Sequence, residues 1–264
     1  MRVLVTGVSG AIGSTVAPAL AAGGHQVRGL DLAPPEDALA AALSGGVLVG
    51  DVLDPGLADE AVDGADAVVH LAGQPSESTL PQALASHVHT TAALLDAMVR
   101  HDVGRLVYAG SNHAVGMTPR TDRLGTDVRP RPDTFYGVAK VAAEALMSLY
   151  ADRHGLTTVS LRIGSFLEEP TTVRALSTWL SPGDAVRLVE AALTTDVAGF
   201  TAVYGISANT RAWWDLEPGR RIGYEPRDDA EAFAAAIPAR EDDEAEGARV
   251  GGPYAVMPLG RPLP

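Results

Sequence analysis

The sequence has no cysteine, which excludes disulfides, thiolate metal sites and a cysteine nucleophile. Lysine is nearly absent as well: of 20 Lys and Arg residues, only Lys140 is a lysine. These cations are outnumbered by 33 Asp and Glu residues, for a formal net charge of −13. No Lys/Arg cluster offsets that balance, so the footprint of a nucleic-acid or anionic-membrane binder is missing and a small-molecule partner is expected. No apolar run reaches membrane-spanning length. The opening RVLVTG passes straight from an apolar strand into a glycine loop, without the regions of a signal peptide. A cytoplasmic location is therefore expected. The seven histidines are scattered. His87 and His89 do not share a helix face, and no metal is expected.

What the chain does have is 264 residues that are 46% hydrophobic, enough for one compact α/β unit and short for two. Short β-branched runs (RVLVTG, HQVRGLDL, GVLVGD, DAVVHLAG, GRLVYAGS, TTVSLRIGS) alternate with alanine-rich stretches that predict helices over 11–22, 80–101 and 134–153. Strands that are apolar throughout are buried on both faces, so the pattern predicts a doubly wound, mostly parallel Rossmann sheet with helices on both sides. After about residue 165 the pattern turns irregular, with a helix near 182–194, the strand-like TAVYGISAN and a short helix near 228–236. The expected organisation is a single domain over 1–264: a dinucleotide-binding core over 1–163 and a small, dependent substrate-binding cap over 164–264. The acidic EDDEAE at 241–246 reads as a solvated loop, and the final Pro/Gly-rich residues as a tail.

TGVSGAIG places Gly7, Gly10 and Gly13 at the first strand-to-helix turn, with Ala11 and Ile12 opening the helix. Glycines there allow a tight turn and let a pyrophosphate reach backbone N–H groups at the positive end of a helix. Strand two ends at Asp31, 18 residues past Gly13. A carboxylate at that place hydrogen-bonds the adenosine ribose diol and repels a 2′-phosphate, which argues for NAD over NADP. Asp51 and Val52 end the third strand and are expected at the adenine. Leu71, Ala72 and Gly73 end the fourth and are expected along the path to the nicotinamide.

Tyr136 and the lone lysine, Lys140, are spaced i and i+4, on one face of the helix predicted over 134–153. A tyrosine acts as a base near neutral pH only if its pKa of about 10 is lowered, and a neighbouring ammonium plus an oxidised nicotinamide favour the phenolate. A lysine also serves as a flexible point donor, which a forked guanidinium does not replace. Trp213 and Trp214 are expected to be core or interface packing rather than a sugar-stacking platform.

Taken with Ser111 at the end of the fifth strand, these motifs resemble the extended short-chain dehydrogenase/reductase family. SNHAVG (111–116), RLGTDVRPRPDTFYGVAK (123–140), RIGS (162–165), RALSTWLS (174–181) and GISANTRAWWD (205–215) resemble its uronate dehydrogenases over nearly the whole chain. The resemblance implies NAD-dependent oxidation of the anomeric carbon of D-glucuronate or D-galacturonate to an aldarolactone. It gives Tyr136 as base, Lys140 as its partner and Ser111 as the group orienting the substrate hydroxyl. Asn112 and His113 are implied at ring hydroxyls, Arg174 as the bidentate clamp on the carboxylate, Ser165 and Ser76 as further substrate contacts, and Ile163 at the cofactor. The chain departs from the family at His87, where an asparagine is usual, and at Gln74-Pro75-Ser76, where the substrate serine is shifted by one. Related enzymes are commonly oligomers, and a dimer face on the helices over 80–101 and 134–153 is expected. The alternatives are an NAD-retaining NDP-sugar epimerase or dehydratase and a non-catalytic NAD(H)-sensing regulator of the same fold.

Overall fold

The structure, a computed structural model, describes residues 1–261; the last three residues of the expected tail lie outside the described residues. The strands are β1 (Arg2–Thr6), β2 (Gln26–Asp31), β3 (Val47–Val49), β4 (Ala67–His70), β5 (Arg105–Tyr108), β6 (Thr157–Ile163), β7 (Ser165–Phe166), β8 (Trp179–Leu180) and β9 (Phe200–Gly205). The helices used below are α1 (Ala11–Ala22), α2 (Asp37–Ala42), α3 (Leu57–Val62), α4 (Leu80–Ala83), α5 (Thr90–Arg100), α6 (Phe135–His154), α7 (Ala175–Thr178) and α8 (Pro182–Thr194). Seven strands form one sheet in the order β3-β2-β1-β4-β5-β6-β9, with every neighbouring pair parallel. The fold is thus the doubly wound α/β sheet the strand pattern predicts. Its order reverses between β1 and β4, where an open sheet of this kind leaves a crevice at its carboxyl edge.

Alternate residues of each strand serve opposite faces, which is why the strands read as continuous apolar runs. Val3 and Val5 of β1 belong to a core with Val16 and Leu20 of α1 and Leu188 of α8. Leu4, between them, belongs to a second core with Leu94 and Met98 of α5 and Met147 of α6. Burying each such side chain contributes about 1.5–3 kcal/mol.

Four elements differ from the sequence-based expectation. The segment expected only as a cap also completes the sheet: β9 pairs along β6 from Thr158 to Ile163 and covers its open edge. The helix predicted over 80–101 contains a π turn at Leu84–His89, which buries His87. The acidic run is not a solvated loop, because Arg240 pairs with Asp243 and Glu246 and lets Asp243–Gly247 wind into a short helix. Finally, residues 249–260 are no free tail. The N–H groups of Val250 and Gly251 bond to the carbonyls of Thr118 and Gly116, and Gly260 N–H donates to Glu77 at 3.2 Å. Trp213 and Trp214 are packing residues as expected. Both are 6% exposed, and their rings stack at 3.9 Å.

Candidate active site

The carboxyl edge of the sheet carries the glycine loop. Gly7 adopts φ +69, and a Cβ there would lie 2.6 Å from the Ala72 nitrogen; a Cβ on Gly13 would overlap the Gly7 carbonyl. Only glycine therefore lets β1, the loop and the end of β4 approach this closely. Gly10 precedes α1 with no side-chain cap, so the first helical N–H groups are left for an anionic ligand.

Asp31 ends β2 and accepts from the N–H groups of Ser9 and Leu32, both at 2.8 Å. These bonds aim the carboxylate and leave it further lone pairs for a diol. A cavity of about 650 Å³ runs from Gly7 and Gly10 past Asp31, Asp51 and Val52 to Leu71, Ala72 and Gly73. Two leucines in its wall were not singled out from the sequence. Leu32 is 72% exposed and Leu53 43%, and exposed apolar side chains beside a polar strand end suit the face of an adenine. The loop, the aimed carboxylate and the apolar wall fit NAD.

A second cavity of about 390 Å³ shares Gly7, Gly10, Leu71 and Gly73 with the first, so the two form one cleft. Ser111, His113, Tyr136, Lys140 and Ile163 line it, as do Ala11, Ile12 and Gly13. Thr134 caps α6, its hydroxyl accepting from Gly137 N–H at 2.9 Å, and this sets Tyr136 and Lys140 on the inner face of the helix. Lys140 is buried, donates to the Ala109 carbonyl at 2.6 Å and lies 5.2 Å from the Tyr136 ring centre. Beneath it, buried Glu144 accepts two bonds from Arg162, at 2.9 and 2.8 Å, and one from Ser160.

The protein's own groups do not favour the phenolate. Burial pushes Tyr136 up to about 12, with the Ser111 hydroxyl working against that rise. Burial pushes Lys140 down to about 7, opposed by Glu144. The ammonium alone does not lower the tyrosine, because burial disfavours both charged forms. The positive nicotinamide ring of NAD is the charge that remains to favour the phenolate.

Four candidate substrate residues lie outside the lining of this cavity. Asn112 is fully buried, with Oδ1 3.5 Å from Ser111 Oγ and Nδ2 without a partner among the described residues. Ser76 is half-buried in the loop after β4, and its neighbour Pro75 lines the cavity instead. Ser165 bonds to Thr178 at 2.9 Å and accepts weakly from Arg174 at 3.4 Å. Arg174 donates to the Val250 carbonyl at 2.8 Å, and burial pushes it down to about 10, opposed by Asp133 and Glu246.

Three further residues were missed. Glu77 accepts from the N–H groups of Phe135 and Tyr136 and from Gly260, and so ties the loop after β4 to the start of α6. Asp133 bonds His113. Tyr254 packs edge-on against the His113 ring at 5.0 Å. Asp133 lies inside the quoted RLGTDVRPRPDTFYGVAK and Glu77 directly follows Gln74-Pro75-Ser76, whereas Tyr254 stands near no quoted motif. At His87, the ring packs edge-on to Tyr136 at 5.1 Å and Nε2 donates to the Gln74 carbonyl at 2.9 Å. Burial and Lys140 keep it neutral, down to about 2.

Residues 3–169 match the NAD dependent epimerase/dehydratase family. The chain belongs to that family. Within it the similarity is to uronate dehydrogenases over almost the full length. The uronate dehydrogenase of Pseudomonas putida is 35% identical over 97% of this chain and 96% of its own. The crystal structure of uronate dehydrogenase from Agrobacterium tumefaciens superposes with a TM-score of 0.89 at 37% identity, covering 97% of each chain. A mutant of that enzyme complexed with NAD superposes with a TM-score of 0.87 at 36% identity, again over 97% of each chain. The epimerase/dehydratase match spans β1 to β7, the part of the chain that carries the glycine loop, Asp31, Ser111 and, on α6, Tyr136 and Lys140.

Proposed function

We propose that the protein is an NAD-dependent uronate dehydrogenase, oxidising the anomeric C1 hydroxyl of a hexuronate, D-glucuronate or D-galacturonate, to the aldarolactone. The observation that carries this reading is the gathering of Ser111, Tyr136 and Lys140 with the glycine loop in one cavity, in a chain whose near-full-length relatives are uronate dehydrogenases. NAD held by the loop and Asp31 supplies the hydride acceptor. Tyr136 takes the C1 hydroxyl proton as general base, Ser111 orients that hydroxyl and Lys140 holds a positive charge beside the phenol. Arg174, with Ser165, grips the substrate carboxylate bidentately. His113, Asn112 and Ser76 contact the remaining hydroxyls.

The assay is NADH absorbance with glucuronate, galacturonate or glucose. NADH from the uronates alone, abolished by Tyr136→Phe and cut roughly tenfold to a hundredfold in kcat/KM by Arg174→Ala, fits the loss of a charge-assisted bond pair of about 1.5–3 kcal/mol. No NADH from either uronate refutes the reading.

The organisation that goes with it is one unit, with residues 1–163 binding the dinucleotide and 164–264 the substrate. Among the described residues no helix is long and apolar enough to cross a membrane. A cytoplasmic location follows from dependence on an intracellular dinucleotide. The assembly is a homo-oligomer through α5 and α6. On α6, Val138 is 38% exposed and Leu149 52%, three turns apart on one face. A monomer in light scattering refutes that.

A further inference from the structure

Asp133 has a fully buried side chain, 0% exposed. Its oxygens lie 3.0 and 2.9 Å from His113 Nδ1, and Oδ1 also accepts from Thr134 Oγ1 at 3.1 Å. The same threonine oxygen accepts from Gly137 N–H, so its one proton goes to the carboxylate. The pocket around Asp133 is built to its size. A Cβ on Gly116 or on Gly251 would overlap its carboxylate, and those two glycines come from segments far apart in the chain. The His113 ring is fixed in turn, edge-on between Tyr136 at 5.9 Å and Tyr254 at 5.0 Å.

Burying a carboxylate is costly unless it is paired, and here a hydroxyl and an imidazole are its hydrogen-bond partners while the Arg174 guanidinium is a nearby cation. An ionised carboxylate only accepts, so the shared proton sits on His113 Nδ1. In a neutral imidazole this makes Nε2 a bare acceptor. Among the described residues both hydrogen bonds of the side chain are at Nδ1, and the ring lines the cavity that holds Ser111 and Tyr136.

We infer that Asp133 is a positioning residue for the substrate: by taking the Nδ1 hydrogen bond it commits His113 Nε2 to accept from a ring hydroxyl of the hexuronate. The inference rests on the uronate reading above and adds a specificity element to it. A sugar with a hydroxyl donor at that place is held, and one with a hydrogen or an ether there is not. The carboxylate acts through His113 and touches no substrate atom.

The test combines spectroscopy and kinetics. In histidine ¹H–¹⁵N correlation spectra of the wild type, His113, located by its loss in His113→Gln, should carry its proton on Nδ1. Asp133→Asn should release that tautomer and raise KM for uronate roughly tenfold to a hundredfold, the loss seen when the group orienting a metal-binding histidine is removed. KM for NAD should hold, and kcat should change less. In a His113→Gln background, Asp133→Asn should have no further effect on uronate KM, because the pair acts as one unit. A wild-type His113 protonated on Nε2 overturns the inference even where Asp133→Asn does not fold. So does an active wild type whose uronate KM is unmoved by Asp133→Asn, or whose two single effects multiply; these leave the uronate reading intact. A wild type that forms no NADH from either uronate overturns that reading and this inference together.

Discussion

Lys140→Met is expected to stabilise the folded protein while removing its activity. Burial pushes the ammonium from 10.5 down to about 7, with Glu144 pulling the other way. At about 1.36 kcal/mol per pKa unit, holding the group charged in the fold costs up to about 5 kcal/mol. The folded pKa lies below the unfolded one, so between about 7 and 10.5 the unfolded chain binds more protons and stability rises with pH. The penalty is whole below the lower value and gone above the upper one. Methionine removes it but forfeits the bond to the Ala109 carbonyl at 2.6 Å and the ammonium over the Tyr108 ring at 4.6 Å. Those contacts offset about 2–3 kcal/mol. The net gain near pH ~6 is about 2–3 kcal/mol, or roughly 4–12 °C in Tm for a chain of this size. Thermal unfolding of both proteins without cofactor, near pH ~6 and again near pH ~9.5, measures it, with NADH production followed in parallel. A variant less stable at the lower pH refutes the reasoning, and so does a difference that stays constant with pH.

Glu144→Gln should destabilise the fold by about 3–5 kcal/mol, because Arg162 is left charged at 5% exposure without its counter-charge; an unchanged urea midpoint would contradict this. Asp31→Ala should raise KM for NAD about tenfold and admit NADP, since the carboxylate that excludes a 2′-phosphate is gone; a constant ratio of the two cofactors argues against the assigned role. Gly13→Ala places a Cβ 2.8 Å from Val8 Cα and against the Gly7 carbonyl, so calorimetry should show NAD binding weakened at least about tenfold for an overpacked loop.

The parts of this protein that were legible in its sequence are those set by short-range rules. Apolar strands buried on both faces announce themselves as runs, and the i, i+4 spacing of Tyr136 and Lys140 places them together as soon as α6 is a helix. The glycine loop is legible because the turn itself demands small residues. Asp133, Glu77 and Tyr254 obey no local rule. Their roles exist only once segments far apart in sequence meet, as when Gly260 reaches Glu77 across 183 residues. The Pro/Gly-rich end misled for the same reason, since the carbonyls of Gly116 and Thr118 give it partners, whereas the acidic run misled although its partner, Arg240, stands directly before it. The depth at which Tyr136 and Lys140 are buried was likewise illegible, since i, i+4 spacing says nothing of how far both groups are taken from water.

Residues 249–260 also set an order in time. The longest strand pairing in the sheet, β1 with β4, joins Val3 to Ala67 across 64 residues, whereas Arg249 meets Met117 across 132 and Gly260 meets Glu77 across 183. Long closures come late in folding because their entropy is lost before their contacts are gained. A refolding chain therefore regains its far-UV ellipticity first and its turnover afterwards, and the lag between the two signals is the time the last segment takes to settle onto Glu77 and Asp133.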